Sequence, residues 1–166
     1  MVSRKDTTLL SIAEAAELLT VSKTVVLKLA DQGYLVPDNV IPTQSGRLTR
    51  RKFKKDAVES FFKSCVKTSY HGEELMTITD VINELGVSHD VIYYYVKMGW
   101  LTPDIVFPSL NIGKRGLIRF KRDTIDAFVD RMINGQTRWE MGVTKLHDNT
   151  LTAFSKYQRN RRQLCG

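Results

Sequence analysis

Apolar residues recur at helical spacing in two stretches of this chain that repeat one another. Val21–Leu35 and Val87–Leu101 are offset by 66 residues, and each places a serine before the apolar positions and a glycine after them. Serine is favoured as the cap of a helix, and glycine readily adopts the left-handed conformation that ends one. Each stretch therefore predicts a short helix that is stopped by a glycine, Gly33 in the first copy and Gly99 in the second.

A helix is also predicted before each copy. Ser11-Ile12-Ala13-Glu14 has the form of a capping box, and apolar residues then recur at helical spacing, which predicts a helix over Ile12–Leu19. Thr77-Ile78-Thr79-Asp80 repeats the pattern. In the later helix, which Ser22 is expected to cap and which runs to about Gln32, the spacing places Val21, Val25 and Leu29 on the side that faces a core.

A hairpin and a third helix complete the repeat. Val36–Ile41 and Leu48–Phe53 are extended runs that flank a turn rich in Pro, Ser and Gly. Asp56 is expected to cap the helix that follows. The second copy has the same order with an offset of 67 after its hairpin tip, and its closing helix is predicted over Asp123–Met132.

Two helices, a hairpin and a closing helix are the elements of a winged helix-turn-helix unit. We therefore predict a mainly α fold with small β-hairpins (α+β), built from two such units in tandem and a C-terminal tail with a helix from Thr150 to about Arg162. The expected divisions are a flexible N-terminus (1–9), domain 1 (10–64), a linker (65–75), domain 2 (76–134) and a basic tail (135–166). Leu151, Phe154 and Tyr157 form an apolar stripe on the tail helix.

Charge is distributed unevenly along the chain. The net charge is +7, but residues 1–70 carry 12 basic against 7 acidic residues, residues 71–135 carry 7 against 9, and residues 136–166 carry 6 against 2. Basic clusters attract polyphosphate backbones, although they also occur as solvated surface. With no apolar run near 18 residues and only two cysteines, we expect a protein of the reducing cytoplasm, associated with a bacterial or phage nucleoid, without a membrane span.

The first copy resembles the excisionase-type winged helix of the MerR-like superfamily. The residues that carry the resemblance are Leu-Ser-Ile-Ala-Glu-Ala-Ala-Glu-Leu-Leu, Val-Ser-Lys-Thr-Val, Gly-Tyr-Leu, a basic hairpin and Asp-Ala-Val-Glu-Ser-Phe. It covers about Leu10–Lys63 and, more divergently, Met76–Met132, where Tyr93-Tyr94-Tyr95 departs from the pattern. The long coiled coil and effector-binding part of MerR-type regulators are not visible in the sequence. The resemblance implies a DNA-binding protein that acts in recombination directionality or transcription regulation.

A helix of this kind enters the major groove of DNA, and the hairpin contacts the adjacent backbone or minor groove. In domain 1 the expected DNA-binding residues are Ser22, Lys23, Thr24, Leu27 and Lys28 on the helix, and Arg47, Arg50, Arg51 and Lys52 on the hairpin. In domain 2 they are Ser88, His89, Tyr93, Tyr94, Lys97, Lys114, Arg115 and Arg119. Tail contacts to phosphate are expected from Arg159, Arg161 and Arg162.

The residues leave several alternatives open. Ser22 and Ser88 serve equally as helix caps, Tyr95 aligns with Leu29 as a core residue, and exposed Tyr93 and Tyr94 suit either DNA or a protein interface. In an adaptor, domain 1 binds DNA while acidic, tyrosine-rich domain 2 and the tail bind a recombinase, another protein or a second copy. RNA binding also remains open. No nucleophile, phosphate loop or metal-ligand spacing favours an enzyme, and no metal or cofactor is expected.

Overall fold

A computed structural model describes residues 8–41, 50–111, 116–134 and 148–164. Over these ranges the chain forms seven helices and two small three-stranded antiparallel sheets, which confirms the predicted α+β class. Most of the predicted flexible N-terminus and the turns at both hairpin tips lie outside the described residues.

The elements follow one another in the same order in both repeats. The first repeat contains β1 (Leu9–Ser11), α1 (Ile12–Leu19), α2 (Lys23–Asp31), β2 (Asn39–Ile41), β3 (Arg50–Lys54) and α3 (Lys55–Cys65). The second contains β4 (Leu75–Thr77), α4 (Ile78–Leu85), α5 (His89–Lys97), β5 (Ile105–Val106), β6 (Ile118–Lys121) and α6 (Arg122–Asn134). The tail helix, α7, spans Asp148–Leu164.

Capping boxes begin α1 and α4, as the sequence predicts. The Ser11 hydroxyl accepts the amide of Glu14 at 3.3 Å, and the Glu14 carboxylate accepts the amide of Ser11 at 2.7 Å. Thr77 and Asp80 make the same two hydrogen bonds at 3.2 and 2.7 Å. These bonds satisfy amides that have no partner within the helix, so each helix begins directly after its cap.

Left-handed residues shape the turns of both repeats. Gly33 and Gly99 follow α2 and α5 with φ of +79° and +74°, which confirms the predicted glycine stops. Leu35 and Leu101 are then buried two residues later. The turn before α2 contains Thr20 at φ 54°, where the second repeat has a glycine.

The core face of α2 differs from the prediction. Val26 and Leu29 are fully buried, whereas Val25 and Val21 are only partly buried. Residues three and four apart both share a helical face with Leu29, and the burial shows that the face through Val26, rather than the one through Val25, is turned to the core. Tyr95 occupies the position of Leu29 in α5 and is buried, as its alignment predicts.

Each sheet has a strand that the sequence analysis missed. β1 and β4 precede the first helix of each repeat and pair antiparallel with the hairpin's second strand, in the orders β1-β3-β2 and β4-β6-β5. The register aligns Ser11 with Lys52 and Thr77 with Arg119. The second strand of each hairpin is therefore central, and its neighbour leads directly into a capping box.

The hairpin and the third helix also differ from the prediction. β2 begins at Asn39, later than predicted, and Val36 lies in an exposed segment before it. Leu48 and Thr49, predicted to start the second strand, lie outside the described residues. Asp56 does not cap α3, because β3 runs without a break into the helix and the Lys55 amide donates to the Thr8 carbonyl at 3.0 Å. In α6 the helix begins at Arg122, so Asp123 lies in the first turn.

The chain divides into two compact units that differ from the expected domain boundaries. Unit 1 comprises Met1–Val66 with Phe107–Leu117, and unit 2 comprises Lys67–Val106 with Ile118–Gly166. In unit 1, Phe107 is 1% exposed and its ring centroid lies 6.4 Å from that of Phe61. Phe107, which directly follows β5 in the chain, therefore contributes to the core of unit 1.

The tail helix completes the core of unit 2. Phe154 and Tyr157 are buried in the same cluster as Tyr95 and Phe128, with ring centroids of Phe128 and Phe154 5.8 Å apart. The predicted apolar stripe of the tail is thus internal at these two positions, and they are not available to a partner protein.

Residues 67–69 of the predicted linker are bound to the rest of unit 2, whereas Cys65 is the last residue of α3. The Lys67 amide donates to the Asp104 carbonyl at 2.7 Å, and the Thr68 hydroxyl donates to the Asp104 carboxylate at 2.5 Å. Lys121 donates to the Ser69 carbonyl at 3.0 Å. This segment therefore follows a fixed path on unit 2.

Candidate nucleic-acid interface

The outer face of α2 is polar and basic. Lys23, Thr24 and Lys28 are exposed, and neither lysine pairs with a carboxylate among the residues that the structure describes. Ser22 begins the helix, and its hydroxyl accepts the Val25 amide at 3.4 Å. The serine therefore serves as a cap, while both lysines remain available to an anion.

A groove of about 500 Å³ adjoins this face in unit 1. Its floor is formed by Ile12 and Ala13 of α1 and by Leu27 of α2, so the surface inside it is almost entirely apolar. The side chains of Lys23, Arg51 and Lys52 also line it, so three residues with positive charge border this apolar surface. We call this the unit 1 groove.

Two acidic residues moderate the charge of the unit 1 groove. The guanidinium of Arg51 pairs with Asp31 at 2.6 Å. Hydrogen bonds from the Ser11 amide and hydroxyl hold the pKa of Glu14 below its usual range, and the charge of Lys52 lowers it slightly further. Glu14 is therefore ionised near Lys52, but three cations against two carboxylates leave the groove positive.

The four basic residues predicted to bind DNA on the first hairpin differ in how the structure describes them. Arg47 lies outside the described residues, and Arg50 lies in β3, where its side chain is not described. Arg51 is partly buried and paired, whereas Lys52 is exposed. Of this set, the structure places Arg51 and Lys52 beside Lys23 and Leu27 in one groove.

The corresponding face of α5 is less basic. His89, Asp90, Tyr94 and Lys97 are exposed, and Ser88 makes no side-chain cap bond. Tyr93 was expected to be exposed but is partly buried, because its ring packs against the core and lies 4.5 Å from the imidazole of His89. Tyr94 is 50% exposed.

Arg119 was predicted to contact phosphate, but among the described candidates it is the one whose side chain is buried. Its side chain is 9% exposed, and its guanidinium donates to the Ile118 carbonyl at 3.0 Å. Burial lowers its pKa, while the charge of Asp80 raises it. A buried guanidinium cannot reach a phosphate without leaving this site, so Arg119 is better explained as a structural residue. Lys114 and Arg115 lie outside the described residues.

The tail arginines are divided between two roles. Arg161 pairs with Asp126 at 3.1 Å and with Asp130 at 3.2 Å, so its charge is engaged within unit 2. Arg159 and Arg162 are exposed, as is Lys156. Because these three lie at spacings of three residues, they form a basic stripe on one side of α7.

The groove floor was missed by the sequence analysis. The apolar spacing predicts Ile12 as a core-facing residue of the first helix, whereas Ile12 and Ala13 are partly buried and line the groove beside α2. The signal that was available is the repeat itself, since the capping box stands at the same distance before the lysine-bearing helix as before its second copy.

Within the described ranges, no group of His, Cys, Asp or Glu side chains is placed to hold a metal ion, and no helix is long and apolar enough to cross a membrane. Comparison of the chain with protein-family models, with curated proteins and with solved structures found no match.

Proposed function

We propose that this chain is a non-enzymatic protein that binds double-stranded DNA through tandem winged helix-turn-helix units of the excisionase/MerR-like type. The observation that carries the proposal is the basic face of α2, where Lys23 and Lys28 are exposed and Lys23 lines one groove with Lys52 of the hairpin. A helix with such a face fits the major groove, and lysines most often contact phosphates. The biological task would be recombination directionality or transcription regulation, in the compartment that holds the DNA.

Two forms of the proposal differ in the role of unit 2. In the first, α5 also enters a major groove; in the second, unit 2 binds a recombinase, another protein or a second copy. The exposed surface of α5 favours the second form, because it carries Asp90 near its N-terminal end and the half-exposed side chains of Tyr94 and Met98. A carboxylate repels phosphate, whereas exposed aromatic and Met side chains are enriched at protein interfaces.

The proposal is tested by the salt dependence of DNA binding. Fluorescence anisotropy of mixed-sequence duplexes of about 30 base pairs, three helical turns, should show affinity that falls steeply with salt. Lys23→Ala with Lys28→Ala should reduce the slope of log K against log salt by about 1.8, two phosphate contacts' worth. Lys55→Ala with Lys63→Ala removes the same charge from α3 and is the control.

Each result bears on a different part of the proposal. An unchanged slope in the α2 variant would exclude α2 from the interface. Equal losses in both variants would indicate a general charge effect. If the intact chain bound no duplex even at low salt, DNA binding itself would be excluded.

A further inference from the structure

The unit 1 groove combines two kinds of surface that suit one kind of ligand. Its floor of Ile12, Ala13 and Leu27 is apolar, and Lys23 and Lys52 stand beside it. A free phosphate ion would leave the apolar floor without a partner, and an apolar peptide would leave the cations without one. A deoxyribose with its phosphate presents C–H groups and a negative charge side by side, so it matches both surfaces.

The repeat supplies an internal comparison for this groove. With the offset of 66 in the helices and 67 in the central strand, Lys23, Leu27 and Lys52 correspond to His89, Tyr93 and Arg119. The strand registers agree, because Ser11 pairs with Lys52 as Thr77 pairs with Arg119. The same backbone positions therefore carry a different set of side chains in unit 2.

At two of these positions the unit 2 side chains interact with the rest of unit 2. Tyr93 is larger than Leu27 and packs against the core, with the His89 ring at its edge. Arg119 is buried, with its guanidinium turned to the Ile118 carbonyl and near Asp80, whereas Lys52 is exposed. Of the two, Arg119 is the one that differs in burial from its unit 1 counterpart, and Tyr93 is the one that differs in size.

We propose that the unit 1 groove binds one deoxyribose-phosphate of a DNA strand, and that Tyr93 and Arg119 close the equivalent groove of unit 2. This inference rests on the proposed DNA binding and makes it more specific. Each chain then holds the DNA backbone through one groove, with Leu27 and Ile12 against the sugar and Lys23 and Lys52 at its phosphate. Tyr93 is the residue that distinguishes the two copies.

The test exchanges the distinguishing residue between the copies. Leu27→Tyr places the unit 2 side chain in the unit 1 groove without changing charge, and Tyr93→Leu is the matched variant in unit 2. With the full-length protein and duplex DNA, we expect Leu27→Tyr to weaken binding about tenfold, while Tyr93→Leu stays within about twofold of the parent. Denaturant unfolding of each variant checks that the fold is retained.

A second measurement needs no substitution. Ile12 and Ile78 occupy equivalent positions at the start of α1 and α4. In methyl NMR spectra of the intact chain, added duplex should shift the Ile12 methyl resonances and leave those of Ile78 in place. This comparison remains informative if Leu27→Tyr destabilises the protein.

The outcomes separate this inference from DNA binding in general. If the parent binds duplex but Leu27→Tyr binds equally well and the Ile12 methyls do not shift, the groove is not used and the proposed function stands. If Tyr93→Leu weakens binding as much as Leu27→Tyr, or if both isoleucines shift alike, the two units contact DNA equivalently and the closed groove is excluded. If the parent binds no duplex, both proposals fail.

Discussion

Asp104 occupies in unit 2 the position that Asp38 occupies in unit 1, and each carboxylate pairs with the lysine at the end of its central strand. The Asp38–Lys54 distance is 2.6 Å and the Asp104–Lys121 distance is 3.8 Å. The two sites differ in burial, since Asp104 is 1% exposed and Asp38 is exposed. Asp104 also accepts hydrogen bonds from the Thr68 hydroxyl and, at 2.8 Å, from the Lys121 amide.

This difference predicts unequal effects of the same substitution. Asp104→Ala should lower the free energy of unfolding by about 3 kcal/mol, because it leaves buried donors without an acceptor. Asp38→Ala should lower it by less than about 1 kcal/mol, as for other exposed ion pairs. Urea unfolding at neutral pH measures both. Equal losses would mean that the hydrogen bonds of Asp104 contribute no more than a surface ion pair.

The local signals in the sequence predicted much of this fold. The capping boxes at Ser11 and Thr77 and the stops at Gly33 and Gly99 depend on residues within one helical turn, so they could be recognised without tertiary information. Finding each signal twice at a constant offset made the interpretation firmer than apolar periodicity alone.

The remaining features depend on contacts between distant parts of the chain. β1 is only three residues long and is fixed by its pairing with β3, which its own sequence does not specify. The burial of Arg119, near Asp80 and the Ile118 carbonyl, depends on the folded surroundings of β6, which its charge alone does not indicate. The assignment of Phe107–Leu117 to unit 1 likewise follows from packing on Phe61.

For the tail helix, burial decides whether its apolar stripe faces a partner or the core of the chain. An apolar stripe on an amphipathic helix suits either a partner or the chain's own core, and Phe154 is fully buried against Tyr95 and Phe128. Tyr157 adds a hydrogen bond of 2.6 Å from its hydroxyl to Asp126. We therefore expect α7 to be part of the folding unit rather than an appendage.

Phe154→Ala tests this role of the tail. Removing a fully buried phenylalanine costs about 3–5 kcal/mol, through lost burial and the cavity that remains. Denaturant unfolding should show this loss, while Ser155→Ala, at an exposed neighbouring position, should change stability by less than about 0.5 kcal/mol. A stability equal to that of the parent would show that α7 is not packed on unit 2 in solution.

The buried phenol of Tyr95 is expected to make the stability of unit 2 fall at alkaline pH. Burial, and to a smaller extent the nearby Tyr94, raises the pKa of Tyr95 from its ordinary value of 10.0 to about 12. Folding therefore favours the protonated phenol. Its contribution to stability is fully present below pH 10 and is lost as pH rises from about 10 to about 12, by up to about 3 kcal/mol.

Tyr95→Phe should remove this dependence, because phenylalanine keeps the ring in the core and has no proton to lose. The free energies of unfolding of the parent and the variant are compared at about pH 8 and about pH 11. The value for the variant, relative to that for the parent, should be higher at about pH 11. Other tyrosines and lysines titrate in both proteins and cancel in this difference. Tyr34→Phe, which removes the hydroxyl of a half-exposed ring, controls for loss of a phenol in general. A parent-to-variant difference that stays constant across this range would mean that the Tyr95 phenol ionises as readily in the folded protein as in the unfolded chain.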